Sequence, residues 1–228
     1  MKKTLLLTAL ALAGGMVHAS IVSGTVTAVS PDTGSAGGTF TQLTTFPAGY
    51  KVGNNNINVN DTVFGFDEQQ NEAFGDAPVF DKGTTPAATT LVSSHYVYFD
   101  PATSTKMPNQ TITASVTFDS DILGVYWVTG TFDSKSKSGT GLKGSENNFG
   151  LTSGVTYKYH DLTGLEKADR DNTSFLGNTL TFTWRASTPG DHIRVITAAV
   201  PEPETYAMLL AGLGVMGAIA RRRKAARA

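Results

Sequence analysis

Residues 111–118 read Thr-Ile-Thr-Ala-Ser-Val-Thr-Phe, and this strict alternation limits the fold more than any other stretch of the chain. Successive strand side chains point to opposite faces, so Ile112, Ala114, Val116 and Phe118 share one face and the hydroxyl residues the other. Residues 179–185, Thr-Leu-Thr-Phe-Thr-Trp-Arg, repeat the pattern with Leu180, Phe182 and Trp184 inward. Apolar residues on a dry face and Thr on a wet one mark half-buried antiparallel strands. Less regular runs at 21–29, 39–46, 90–99, 122–132, 155–159 and 192–198 add further strands. Turn chemistry separates them at Pro31–Gly34, Gly53–Asn56, Asp100-Pro101 and Ser187–Gly190, and only Gly164–Arg170 reads as a helical turn. The expected fold class is all-β, a β-sandwich of jelly-roll-like size. With no internal repeat, a solenoid or propeller is not expected.

The two ends read differently. Lys2 and Lys3 precede an apolar stretch, Leu5 to Val17, and Val17-His18-Ala19 is an A-x-A-like site. Residues 1–19 are therefore expected to be a secretory signal peptide, cut by signal peptidase between Ala19 and Ser20. At the other end, Pro201 and Pro203 make Val200-Pro201-Glu202-Pro203 a stiff strap, because neither donates a backbone hydrogen bond and each disfavours helix before it. An uncharged apolar run, Tyr206 to Ala220, follows, and then Arg221, Arg222, Arg223 and Lys224. The run has 15 residues, short of the roughly 20 that usually span a bilayer. Local thinning and snorkelling of the flanking arginines would let it cross. Length alone would favour a buried helix of a soluble domain, but the abutting basic cluster favours a membrane helix with a cytoplasmic C-terminal side.

Val200 to Lys224 as a whole resembles the PEP-CTERM sorting signal: a Pro-Glu-Pro motif, a short transmembrane helix and a basic tail, in that order. Glu204 and Tyr206 stand where that family more often shows Ser or Thr and Trp. The resemblance implies recognition by an exosortase, an integral membrane enzyme of the cysteine-transpeptidase kind, in a bacterium that makes exopolysaccharide. It also implies an inner-membrane precursor that later reaches the cell surface or the extracellular space. More loosely, Val63–Asn71, Ser94–Pro101, Val116–Gly124 and Pro189–Val195 resemble PEP-CTERM proteins of unknown function, a likeness that brings no activity with it.

Between these ends lies an expected exported domain, residues 20–199, long enough for one core. The whole chain has 18 Lys and Arg against 19 Asp and Glu. Setting aside two Lys in the leader, five basic residues in the tail, Glu202 and Glu204 leaves 11 basic and 17 acidic groups, near −6. That balance disfavours nucleic acid or anionic lipid as a partner. The chain has no cysteine, so stability must come from sheet packing rather than crosslinks.

No stretch announces a reaction. Gly139-Thr-Gly-Leu-Lys-Gly144 formally matches a dinucleotide fingerprint, yet it follows a polar loop and precedes no amphipathic helix, so it reads as a loop. Acidic groups gather at Asp67-Glu68 with Glu72 and Asp76, at Asp119 with Asp121, and at Asp161, Glu166, Asp169 and Asp171-Asn172. None has EF-hand spacing, and solvated loop charge is the plainer reading. Asp169, Asp171 and Asn172 are the calcium candidate, because oxygens at i and i+2 can converge on a loop. His95, His160 and His192 show no metal-ligand spacing, and no cofactor is expected. There is no G-x-S-x-G elbow and no thiol nucleophile. The sequons at Asn60, Asn109 and Asn172 fit surface loops.

Two functions remain. The first is a non-enzymatic, exosortase-sorted surface or matrix protein with a structural or binding role associated with exopolysaccharide. The second is a secreted carbohydrate- or ester-active hydrolase carrying the same tail. A concave site with convergent carboxylates or a hydroxyl–His pair would separate them. Tyr96, Tyr98, Tyr126 and Trp127 are the aromatic candidates for sugar contact, with core packing as the competing role.

Overall fold

The structure, a computed structural model, describes residues 18–30, 37–53, 56–73, 80–84, 86–87, 89–102, 110–127, 152–158, 164–165, 171–187, 190–200 and 210–217. Its strands in chain order are β1 (Ile21–Ser30), β2 (Thr39–Gln42), β3 (Tyr50–Val52), β4 (Thr62–Asp67), β5 (Glu72–Ala73), β6 (Lys82–Gly83) and β7 (Leu91–Phe99). They continue with β8 (Gln110–Phe118), β9 (Ile122–Tyr126), β10 (Val155–Tyr157), β11 (Asn172–Leu176), β12 (Thr179–Ala186) and β13 (Asp191–Ala198). The described chain is thus mostly β, and all eight runs read as strands from the sequence contain one.

The two alternating segments lie side by side. A four-stranded sheet runs β1-β8-β12-β11 with every pair antiparallel. Within it Ile112, Ala114, Val116 and Phe118 of β8 and Leu180, Phe182 and Trp184 of β12 are buried on one face, as the alternation requires. A seven-stranded sheet runs β2-β4-β7-β13-β9-β6, with β5 also on β7. Val97, Phe99, Ile193 and Val195 from its centre join the residues of the smaller sheet in one core. Two sheets therefore face each other across a shared apolar layer.

The larger sheet is covered on its other face as well. Tyr96 and Tyr98 of β7 pack there with Phe66, Val52 and Val155, the last two from β3 and β10. Val92, Ile196 and Tyr126 form a further cluster on Phe80 and Leu123. From Val92 onward β7 is buried at every position, as is β13 up to Thr197. Burial on both faces removes the polar half of the alternation, which is why these runs looked irregular.

Pairing is not uniformly antiparallel. β2 pairs with β4, and β10 with β3, in parallel, a departure from the hairpin-built pattern expected. Within β4, Gly65 lets Phe40 cross the strand: a Cβ there would lie 2.9 Å from Phe40 Cζ and 3.0 Å from Ile21 Cδ1.

Ala19–Ala199 makes up one unit of the chain. Outside it, residues 210–217 are α-helical and exposed. Among the described residues no helix is long and apolar enough to cross a membrane. Residues 206–209 and 218–220 of the expected span lie outside the described residues, as do the leader residues 1–17.

Candidate functional site

The outward face of the four-stranded sheet is a lattice of hydroxyls set by register. β12 places Thr183 opposite Thr113, Thr181 opposite Ser115 and Thr179 opposite Thr117. β11 adds Asn172 beside Thr183 and Ser174 beside Thr181, while β1 sets Thr25 opposite Ser115 and Ser23 opposite Thr117. Strand geometry spaces such groups by about 4.8 Å across the sheet and about 6.8 Å along it. Cross-strand bonds tie them: Thr113 Oγ1 to Thr183 Oγ1 at 3.0 Å and Ser174 Oγ to Thr181 Oγ1 at 2.8 Å. Each hydroxyl offers one donor and two acceptor sites, so capacity remains for an outside partner.

The face is hollowed into a trough of about 330 Å³ lined by Thr27, Thr113, Ser115, Ser174, Thr181 and Thr183 with Asn172. None of its described lining residues is charged. A second recess of about 180 Å³, lined by Trp127, Leu165, Asp171, Asn172 and Thr173, shares Asn172 with the trough. Trp127 is only partly buried, and its backbone N–H is fixed by Asp81 Oδ2 at 2.7 Å. That recess carries the charged Asp171, and Asp171 and Thr173 face the buried side of β11, away from the trough.

The other aromatic candidates do not reach solvent. Tyr96, Tyr98 and Tyr126 are all core residues. Tyr98 stacks on His192 with ring centroids 5.3 Å apart and its hydroxyl meets that of Tyr50. Burial pushes the Tyr98, Tyr157 and Tyr50 phenols above their ordinary range.

Two of the acidic residues expected as loop charge, Asp67 and Glu68, turn out to be structural, while Glu72, Asp119 and Asp121 are exposed. Glu68 is buried against Arg194 and accepts from the Tyr157 hydroxyl at 2.6 Å. Asp67 Oδ1 lies 2.6 Å from His95 Nδ1 and accepts from Ile21 N at 3.0 Å. His95 Nε2 in turn lies 2.9 Å from Thr197 Oγ1. Hydroxyl, imidazole and carboxylate are arranged as a nucleophile, a base and an orienting group would be. Yet His95 and Thr197 are both 0% exposed, so as folded no substrate reaches the hydroxyl, and the trio ties β4, β7 and β13 together.

Of the calcium candidates, Asp171 is buried and accepts from Arg185 N at 3.0 Å, while Asn172 lies exposed on the hydroxyl face. Consecutive extended residues face opposite ways, so the two do not converge. Asp169 lies outside the described residues, as do Asp76, Asp161, Glu166, His160, Asn109 and the Gly139–Gly144 loop. Among the described residues no group of His, Cys, Asp or Glu is placed to hold a metal ion. The trough itself was missed from sequence. Its threonines were visible as a wet face, but their alignment over four strands depends on register.

Of the expected processing residues, Ala19 is buried, Ser20 half-buried and Val200 half-buried. Pro201, Glu202, Pro203 and the membrane-stop residues Arg221, Arg222, Arg223 and Lys224 lie outside the described residues. No curated protein and no solved structure matches the chain. Residues 199–224 match the family model of the PEP-CTERM protein-sorting motif. The chain is therefore a mostly β protein that carries a PEP-CTERM sorting motif directly after its folded unit.

Proposed function

We propose that this chain is an exported β-sandwich, sorted through its PEP-CTERM motif by an exosortase, that binds neutral polysaccharide on its hydroxyl face. The motif at residues 199–224 supports the sorting half. It implies a precursor held in the inner membrane with Arg221–Lys224 on the cytoplasmic side, followed by release to the surface.

The trough shared by β1, β8, β12 and β11 carries the binding half. Its lining is all hydroxyl, amide and apolar groups, which suits a polyhydroxylated ligand and gives an ionic one nothing to offset its desolvation. The expected charge near −6 on residues 20–199 further disfavours polyanions. A binding role is preferred to hydrolysis because the hydroxyl–imidazole–carboxylate trio at Thr197 lies within the protein.

Affinity gel electrophoresis of the full chain tests the binding half. Migration should be retarded by embedded dextran or mixed-linkage β-glucan and unaffected by alginate. Equal mobility in all gels overturns it. Mass mapping of surface-recovered protein tests sorting separately: Arg221–Ala228 should be absent, and their retention overturns processing.

A further inference from the structure

We propose that Asp119 is a binding site for the α-ammonium group created when the chain is cut between Ala19 and Ser20. The proposal rests on the export reading above and assigns a ligand, the chain's own new N terminus, to a carboxylate away from the hydroxyl trough.

Ser20 N donates to Asp119 Oδ1 at 2.8 Å and Ser20 Oγ to Asp119 Oδ2 at 3.0 Å, so one carboxylate takes both donors of one residue. Asp119 N donates back to Ser20 O at 3.1 Å. The next amide, Ile21 N, donates to Asp67 Oδ1 at 3.0 Å. Two carboxylates from separate elements, Asp119 in the turn after β8 and Asp67 at the end of β4, therefore converge on the two residues that follow Ala19. The first amides of a strand are ordinarily met by carbonyls or water. Of the two carboxylates, Asp119 is the one that faces the Ser20 nitrogen, with Asp67 on the following amide and on His95.

Cleavage supplies that cation. Hydrolysis adds one water across the Ala19–Ser20 amide: the C–N bond breaks, Ala19 keeps the carboxylate, and Ser20 keeps the nitrogen. That amine takes up a proton, since an α-amino group has a pKa of about 7.7–8.0. The amide offered one donor and no charge; the ammonium offers three donors and a full charge facing Asp119. The amide bond to Asp119 is already charge-assisted through its carboxylate acceptor; cleavage adds a charge on the donor side and makes it an ion pair. Besides Asp119, the titratable groups at the site are Asp67 and, behind it, His95. Ala19 is 0% exposed in the folded chain, so one flank of the bond to be cut is enclosed once the domain closes. Cleavage then comes first, and docking of the new terminus completes β1.

Processed protein is recovered from cells that export the full chain, and its N terminus is sequenced. Acylation of the α-amine by an N-hydroxysuccinimide ester at pH 7 is followed by mass spectrometry of the N-terminal peptide. The mature chain should begin at Ser20, and its amine should react about threefold more slowly than that of Asp119→Asn, a factor in keeping with a partly exposed ion pair. Asp119→Glu should restore part of the protection. Should Asp119→Asn fail to fold, the wild-type rate in the folded protein is compared with that in urea, and again in 1 M salt. A mature terminus other than Ser20 overturns the proposal together with the expected cleavage site. Equal rates for the folded wild type and Asp119→Asn, or for folded and urea-unfolded wild type, overturn only the capture and leave the polysaccharide reading intact.

Discussion

Arg194 and Glu68 meet as a two-pronged ion pair with neither side chain exposed: Nε lies 2.5 Å from Oε2 and Nη2 lies 2.8 Å from Oε1. Removing two charges from water costs several kcal/mol per ion, which only good geometry and further contacts offset. Here the Tyr157 hydroxyl donates to Oε1, and the Tyr96 and Tyr157 rings lie 5.6 and 5.8 Å from the guanidinium carbon. The pair joins β13 to the segment after β4, and Tyr157 brings in β10.

Breaking that pair from one side should therefore be severe. Glu68→Gln or Arg194→Met alone is expected to cost about 3–5 kcal/mol, because each leaves the other charge or its donors uncompensated. Glu68→Leu combined with Arg194→Met should cost much less than the sum of the single changes, since an apolar pair has no desolvation penalty. Urea unfolding of all three variants gives the coupling energy, and simple additivity would show that the two side chains act independently.

Trp184 tests the core between the sheets. It stacks on Phe182 with ring centroids 3.8 Å apart, and its Nε1 donates to Thr173 Oγ1 at 2.8 Å. Trp184→Ala should destabilise by about 3–5 kcal/mol through the cavity it leaves. Trp184→Phe keeps most of the apolar bulk and should lose less, mainly the hydrogen bond, about 1–3 kcal/mol with Thr173 left unsatisfied. Equal losses in the two variants would mean that the hydrogen bond, and not the volume, dominates.

Asp100 gives a pH dependence with a definite sign. Its carboxyl is held above the ordinary aspartate range by burial, against the lowering effect of backbone bonds from Ile57 and Asn56. Oδ2 accepts from Ile57 N at 3.0 Å, while Oδ1 is buried with no partner among the described residues. A folded pKa above the unfolded one means that the native state holds the proton more tightly. The stabilisation is then full below the unfolded pKa, about 3.9, and is lost as pH rises through the folded value. Asp100→Asn cannot ionise, so its stability relative to wild type should improve as pH rises from about 3 to about 7. Denaturant melts across that range should show the gap moving in this direction; a constant gap would mean that Asp100 does not titrate across the folding transition.

Which parts of this fold were legible follows from burial and register. β8 and β12 announced themselves because one face is wet. β4 did not, because Gly65 interrupts it and Val63 and Phe66 are buried on a strand covered from both sides. The β11–β12 hairpin had a usable signal, the two-residue Gly177-Asn178 loop between the paired Leu176 and Thr179. Gly177 has φ +57° there, the left-handed conformation that a tight hairpin wants. β11 itself, Asn-Thr-Ser-Phe-Leu, is too polar to read as a strand without that turn. Glu68 looked like loop charge because its partner lies 126 positions away, and no local pattern connects them. The tail was legible because its three features are consecutive in the chain and need no fold to bring them together.

The hydroxyl face can be separated from the fold by replacing oxygen with methyl. Thr→Val keeps the β-branched shape and favours strand structure, so on an exposed face it should change stability by less than about 1 kcal/mol. It removes one donor and two acceptor sites at each position. Thr113 and Thr181 sit on neighbouring strands of the trough and take part in separate cross-strand bonds, to Thr183 and Ser174. Thr113→Val with Thr181→Val should therefore leave circular dichroism and the urea midpoint nearly unchanged while abolishing retardation by neutral polysaccharide. As a control, Thr39 is bonded to Thr62 between β2 and β4, away from the trough, and Thr39→Val should leave binding unaltered. Full retention of affinity in the Thr113/Thr181 double variant would remove the trough as the binding surface, even if the protein still binds the polysaccharide elsewhere.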